Sequence, residues 1–169
     1  MKKKAGELLR FLQLPKMIDT NQYIWNKSRY TLLKGRWGIA IELEAGYQII
    51  PNIDDKSNYI ELANHISFYS MLAPNQNYCQ LTPDELSYFY NGLKMTNKYL
   101  YKFLPKDLYL IIALRNIQFS DCYIQIEGFT AAAIQWASET FHFPMPTIEV
   151  YFDRQKSRYG MYIFDFSAV

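Results

Sequence analysis

Residues 35–44 read GRWGIAIELE, and their apolar side chains recur at every second position. Successive side chains of a β-strand point to opposite faces, so this alternation predicts a strand with one buried and one solvated face. The buried face would carry Trp37, Ile39, Ile41 and Leu43, and the solvated face would carry Glu42 and Glu44.

Further strands are predicted on both sides of this stretch. Ala45-Gly46 is expected to turn the chain, and the long apolar run that begins at Leu108 is typical of a central strand covered on both faces. A basic loop at residues 154–158 separates two alternating runs, which predicts a C-terminal hairpin. The remaining strands are expected at residues 30–33, 47–50, 108–119, 122–126, 148–153 and 159–166.

Three helices are predicted among these strands. The clearest signal is Thr82-Pro83-Asp84-Glu85, which combines an N-cap, a proline at the first helical position and a glutamate three residues after the cap. The other two helices follow from apolar residues at three- and four-residue spacing. The expected helices span residues 55–72, 83–104 and 130–141.

This order of elements predicts an α+β fold, a two-layer sandwich in which a mostly antiparallel sheet carries helices on one face. The chain has 169 residues, half of them hydrophobic, which is close to the size of one domain. We therefore expect a single domain over residues 1–169, with residues 1–16 forming a short amphipathic helix or arm.

The composition predicts a cytoplasmic protein without a membrane span. The basic start of the chain is interrupted by Glu7 and Arg10 and is too polar for a signal peptide. No window approaches the roughly 18 apolar residues that a membrane-spanning helix needs. The two cysteines, Cys79 and Cys122, do not form a disulfide framework.

No catalytic or cofactor motif is found in the sequence. The two histidines, His65 and His142, have no Cys or carboxylate at metal-ligand spacing and no local nucleophile. Gly35-Arg36-Trp37-Gly38 opens a strand, whereas phosphate-binding glycine motifs open a helix. We therefore expect no enzyme activity, no cofactor and no metal site.

A protein interface is the favoured functional hypothesis. The chain contains 15 tyrosines, more than a core of this size needs, and tyrosine is enriched at protein interfaces. The net charge of +2 divides into +6 over residues 1–34 and −4 over the rest, so the body of the chain is mildly acidic. The predicted partner-binding residues are Glu42, Glu44, Asp54, Asp55, Glu61, Tyr88, Tyr123 and Tyr151.

An alternative hypothesis is an RNA- or ribosome-associated module. The tip of the expected C-terminal hairpin carries three basic residues beside tyrosines, and such a combination can bind single-stranded nucleic acid. The residues that this alternative assigns to binding are Arg154, Lys156, Arg158 and Tyr159.

The stretch GRWGIAIELE resembles a strand entered through a glycine-rich turn in domain IV of translation elongation factor G. The expected order of elements over residues 30–152 is similar to that domain. The resemblance implies a split βαβ sheet like that of the second domain of ribosomal protein S5. It bears on the fold alone, because no GTPase domain is found that would support a translocation factor.

The chain also resembles, in type, the immunity proteins that neutralise toxins of polymorphic or contact-dependent bacterial systems. The frequent Asn, Ile, Lys and Tyr fit an AT-rich bacterial gene. This resemblance implies that the protein would occlude a cognate toxin domain, with its acidic and tyrosine residues facing a cationic toxin surface.

Overall fold

The computed structural model describes residues 22–34, 38–72, 81–120, 124–156 and 160–169. The first four strands are β1 (Ile24–Leu33), β2 (Gly38–Ile50), β3 (Ile60–Ala63) and β4 (Ile66–Ser70). Helices α1 (Pro83–Met95) and α2 (Asn97–Phe103) precede β5 (Tyr109–Phe119), and α3 (Glu127–Phe141) follows it. The last strands are β6 (Glu149–Asp153) and β7 (Met161–Asp165). The arm expected at residues 1–16 lies outside the described residues.

Five strands form one sheet in the order β1-β2-β5-β4-β3, and β6 pairs with β7 in a separate hairpin. All neighbours in the large sheet are antiparallel except β4 and β5, which are parallel. The predicted α+β class is confirmed. The βαβ unit of the fold runs from β4 through α1 and α2 to β5, and its two parallel strands are direct neighbours, with no strand inserted between them.

The main core lies between the large sheet and the helices. The alternation of β2 is confirmed, since Ile39, Ile41 and Leu43 are buried in this core. Helix α3 is rich in alanine and lies against β1, where the indole N–H of Trp136 donates to the carbonyl of Asn26 over 3.2 Å. The β6–β7 hairpin packs into the same core, which places it on the helical side of the sheet.

The prediction of a helix at residues 55–72 is wrong, because this segment contains β3 and β4. Its apolar residues fit a period of two as well as a helical period, with Ile60 and Leu62 on one face of β3. Asn64 and His65 form the tight turn between the strands, and His65 has a positive φ of 65°. A left-handed residue in a two-residue turn is typical of a hairpin and ends any helix.

Other boundaries also differ from the prediction, since β1 begins at Ile24 and not at residue 30, and α3 begins at Glu127 and not at residue 130. Ala45-Gly46 is not a turn, because β2 continues through both residues and pairs with β1. The expected long helix is divided at Thr96, whose buried hydroxyl donates to the carbonyl of Leu93 over 2.8 Å. Of the strand expected at residues 122–126, residues 124–126 lead into α3 without pairing, and the preceding positions lie outside the described residues.

The described residues cover only part of the sheet face opposite to the helices. A second, smaller apolar cluster lies there, centred on Tyr23, Ile53, Ile111 and Ala113. The loop after β2 crosses this cluster and contributes Ile53. Within the described ranges, no helix has both the length and the apolar character needed to cross a membrane.

Candidate functional site

An exposed polar surface lies on the side of β1, β2 and β5 that faces away from the helices. On β1, Ser28 and Tyr30 are buried towards the helices, so their neighbours Lys27 and Arg29 point to the opposite side. The same alternation places Glu42 and Glu44 of β2 beside them. We call this surface the open sheet face and define it by Trp25, Lys27, Arg29, Glu42, Glu44, Arg115, Asn116 and Gln118.

A β-bulge places an extra residue on this face. The pairing of β2 with β5 shifts between Glu44 and Ala45, and Arg115 is the residue of β5 that has no register partner. The bulge brings Arg115 and Asn116 in succession beside Glu44. Bulges commonly redirect a side chain in this way.

Arg115 is fixed between a carboxylate and an aromatic ring. Its Nε and Nη2 donate to the two carboxylate oxygens of Glu44 over 3.0 and 2.8 Å. Its guanidinium carbon lies 4.2 Å from the centre of the Trp25 ring, a cation–π contact. Trp25 in turn stacks on Tyr23, with ring centres 5.2 Å apart.

Gly46 makes room for this arrangement. A Cβ atom at position 46 would lie 2.6 Å from Cε3 of Trp25, so only glycine lets the indole lie flat on β2. The hydrogen bonds from Arg115 hold the pKa of the Glu44 carboxyl below its ordinary value. Glu44 is therefore charged at neutral pH, with its side chain 17% exposed.

The remaining charges of the open sheet face also alternate in sign. Arg29 and Glu42 are directly opposite each other on β1 and β2 and form an exposed ion pair of 3.1 Å. Lys27 faces Glu44 in the same register. Together these side chains surround a shallow groove of about 480 Å³ that is lined mainly by charged and amide groups.

The apolar cluster on the same side continues this surface towards β4. Burial raises the pKa of the Tyr23 phenol far above its ordinary value. The loop that covers the cluster is shaped by Asp55, whose carboxylate accepts from the Ser57 N–H over 2.9 Å. Lys56 of this loop lies 5.3 Å from the centre of the Tyr109 ring.

The structure brings five of the predicted site residues to one side of the sheet. Glu42 and Glu44 belong to the open sheet face, and Glu61 of β3 points to the same side because Ile60 and Leu62 face the helices. Asp54 and Asp55 lie in the loop that crosses this side. The acidic residues are accompanied by basic ones, so the side as a whole is not strongly acidic.

The predicted tyrosines do not join this group. Tyr88 is on α1 and is 36% exposed on the helical side, and Tyr151 is 56% exposed on β6. The hydroxyl of Tyr151 donates to the Glu149 carboxylate, which raises the pKa of the phenol. Tyr123 lies outside the described residues.

The hairpin tip that was predicted to bind nucleic acid is described only in part. Arg154 and Lys156 follow β6 and are exposed. Arg158 and Tyr159 lie outside the described residues. The RNA-binding alternative therefore stays a prediction.

Sequence reasoning missed Trp25, Arg29 and Arg115. Residues 24–33 read IWNKSRYTLL, in which the charged Lys27 and Arg29 alternate with uncharged residues at positions 26, 28 and 30. This alternation is the signal that could have placed Lys27 and Arg29 on one strand face. The partnership of Arg115 with Glu44 had no local signal, because the two residues are 71 positions apart.

The two histidines occupy positions that support the fold. Nδ1 of His65 lies 3.1 Å from the carbonyl oxygen of Leu108, and its ring stacks on Tyr109. His142 is the left-handed C-cap of α3. Among the residues that the structure describes, no three His, Cys, Asp or Glu side chains are grouped to hold a metal ion.

Compared with known proteins, the chain matches no family model and no curated sequence.

Proposed function

We propose that this protein is a non-catalytic, cytoplasmic binding protein that contacts another protein through the open sheet face. The single observation that carries this proposal is the fixed Trp25–Arg115–Glu44 arrangement on a sheet surface that the described residues leave partly exposed. Arginine and tryptophan are the residues that most often dominate the binding energy of protein interfaces. Here both are held in place before any partner arrives, which lowers the entropy that binding would lose.

The shape and charge of the surface favour a protein over a small molecule. Small-molecule sites are concave and mostly apolar, whereas the groove beside Glu42 is shallow and has charged and amide side chains along with apolar surface. The arrangement of positive and negative charges on the open sheet face selects for a partner with the complementary arrangement, because any other partner would bring like charges together. The partner should present carboxylates opposite Lys27 and Arg29 and basic groups opposite Glu42.

Within this class we propose an immunity protein that neutralises a cognate bacterial toxin. The support is the type resemblance of the sequence together with a sheet surface on which Trp25, Glu44 and Arg115 already contact one another. Such a surface is suited to covering an active or binding site on the toxin. The mechanism would be occlusion, which requires no chemistry from this chain. Slow release would follow from burial of the half-buried Trp25 ring in the complex.

The test begins with capture of the partner from the bacterium that carries the gene. Expression of the captured protein alone should arrest growth, and co-expression of this chain should restore it. Arg29→Glu should remove protection, because it places two carboxylates opposite each other at the Glu42 pair. Lys106→Glu makes the same charge change at an exposed position outside the open sheet face and should protect as well as the wild type.

A double variant separates binding from folding. Arg29→Glu with Glu42→Arg restores an ion pair within the chain but inverts the pattern that the partner meets. We expect it to be as stable as the wild type and still unable to protect. A captured partner that does not arrest growth would exclude the immunity role, and full protection by this double variant would exclude the open sheet face as the contact.

A further inference from the structure

The outer surface of α1 and α2 carries a row of lysines. Lys94, Lys98 and Lys102 are spaced four residues apart and all are exposed, whereas Leu93 and Leu100 are buried on the inner side. We call these three residues the lysine row. It lies on the helical side of the molecule, away from the open sheet face.

No carboxylate within the described residues neutralises the lysine row. Residues 86–106 contain neither Asp nor Glu. The ion pairs formed between described residues involve Arg29 and Arg115, and none involves these lysines. Like charges four residues apart destabilise a helix, so the row is unfavourable for the isolated chain. A partner of opposite charge would remove this cost.

The ammonium groups are placed over aromatic rings instead. Lys94 lies 5.4 Å from the centre of the Tyr90 ring. Lys98 and Lys102 lie 5.1 and 5.9 Å from the centre of the Tyr99 ring. These contacts hold the lysine side chains near the helix surface.

Apolar side chains lie among the lysines. Met95 is 40% exposed, and Tyr88 and Tyr101 are 36% and 46% exposed. Tyrosine and methionine are enriched at protein interfaces. The surface therefore combines positive charge with apolar contact area.

The aromatic rings favour a protein partner over single-stranded nucleic acid. Nucleic-acid binding of that kind uses aromatic faces on which bases stack. The Tyr99 ring is stacked on Phe143 at 4.2 Å and also contacts two lysines. The hydroxyl of Tyr101 is bonded to the carbonyl of Asn64. The rings beneath the row are thus engaged within the chain.

We propose that the lysine row, with Met95 and Tyr88, binds an acidic amphipathic helix of a partner protein. Lys98 and Lys102 are one turn apart on α2, about 6 Å along its axis, and carboxylates four residues apart on a partner helix have the same spacing. Apolar side chains between the carboxylates would contact Met95 and Tyr88. This surface is separate from the open sheet face and does not depend on its function.

The test titrates the isotope-labelled protein with synthetic peptides of about 15 residues, near the minimum length for a helix in water. One peptide carries Glu at every fourth position with Leu between them, and a second has the same composition in scrambled order. Amide shifts should change along α1 and α2 with the first peptide. The scrambled peptide should bind the wild-type protein at least tenfold more weakly. The first peptide should bind the triple variant Lys94→Glu, Lys98→Glu, Lys102→Glu at least tenfold more weakly than it binds the wild type.

The matched control combines Lys56→Glu, Arg154→Glu and Lys156→Glu, which changes the charge equally at exposed positions away from the row. It should bind the first peptide like the wild type. Equal binding of both peptides, or no binding that depends on the lysine row, would overturn the proposal. Tighter binding of oligothymidylate than of the first peptide through the same lysines would also overturn it, in favour of nucleic acid.

Discussion

Arg115 shows how one side chain organises the open sheet face. The bulge in β5 places it beside Glu44, the carboxylate binds it through two hydrogen bonds, and the Trp25 ring covers one side of its guanidinium. Two parallel hydrogen bonds between arginine and a carboxylate fix orientation as well as distance. The residue can therefore present its remaining donors in one defined direction.

The Glu44 carboxylate predicts a pH dependence of stability. Its folded pKa lies below the unfolded value because Arg115 favours the charged form. The pair therefore stabilises the fold above the unfolded pKa of about 4.3 and loses this effect as the pH falls through the folded pKa. Glu44→Gln should lower the free energy of unfolding by about 1 kcal/mol at pH 7.

Urea denaturation between pH 7 and pH 3 measures this effect. The difference between wild type and Glu44→Gln should stay constant at neutral pH and shrink at acidic pH. Glu139→Gln provides a carboxylate control on α3, whose partner is the neutral amide of Gln135. A Glu44→Gln difference that does not change with pH would show that the ion pair does not stabilise the fold.

Helices α1 and α3 are in close contact at Gly92. A Cβ atom at position 92 would lie 2.5 Å from the carbonyl oxygen of Thr130 and 3.0 Å from Cβ of Ala133. Thr130 is further tied to α1, since its hydroxyl donates to the carbonyl of Tyr88 over 2.9 Å. The two helices are therefore closer than any larger residue would allow.

Gly92→Ala should destabilise the protein by about 1–3 kcal/mol, because the clash is with backbone that cannot rotate away. Helix propensity alone predicts the opposite sign, a gain of about 1 kcal/mol. Thermal or urea unfolding decides between the two. Asn91→Ala is the matched control at the exposed neighbouring position and should change the free energy of unfolding by less than about 0.5 kcal/mol. Stabilisation by Gly92→Ala would disprove the close contact.

Elements with one strong pattern were predictable from the sequence. The start of α1 at Pro83 is confirmed, because Thr82 and Glu85 form the expected reciprocal cap. The β3–β4 hairpin was not predictable from spacing, because apolar residues at positions 59, 62, 66 and 69 also satisfy a helical period. Its turn at Asn64-His65 depends on a left-handed backbone conformation at His65, which the residue type does not indicate.

Within the candidate site, the sequence identified the acidic residues but not their partners. Glu42 and Glu44 follow from the alternation of one strand. Their pairing with Arg29 and Arg115 depends on strand order and on a bulge, which are properties of the assembled sheet. The predicted acidic surface is consequently a surface of alternating charge.

At the scale of the molecule, the sheet separates two surfaces of different chemistry. The helical side carries the lysine row, and the opposite side carries the open sheet face with its alternating charges. Helix α3 attaches the helical side of the molecule to β1, where the side-chain amide of Gln135 donates to the carbonyl of Arg29 over 2.9 Å. The same strand thus supports α3 on one face and Lys27 and Arg29 on the other.

If a partner protein covers the open sheet face, as we propose, site-specific photo-cross-linking in the native cell will detect the contact. Benzoylphenylalanine replaces Gln118, which is exposed on that face, or Asn91, which is exposed on the helical side between Tyr88 and the lysine row. We expect one discrete protein adduct from position 118. Arg29→Glu should abolish this adduct, and position 91 should not form it. No adduct from position 118, or the same adduct from position 91 alone, would contradict the proposal.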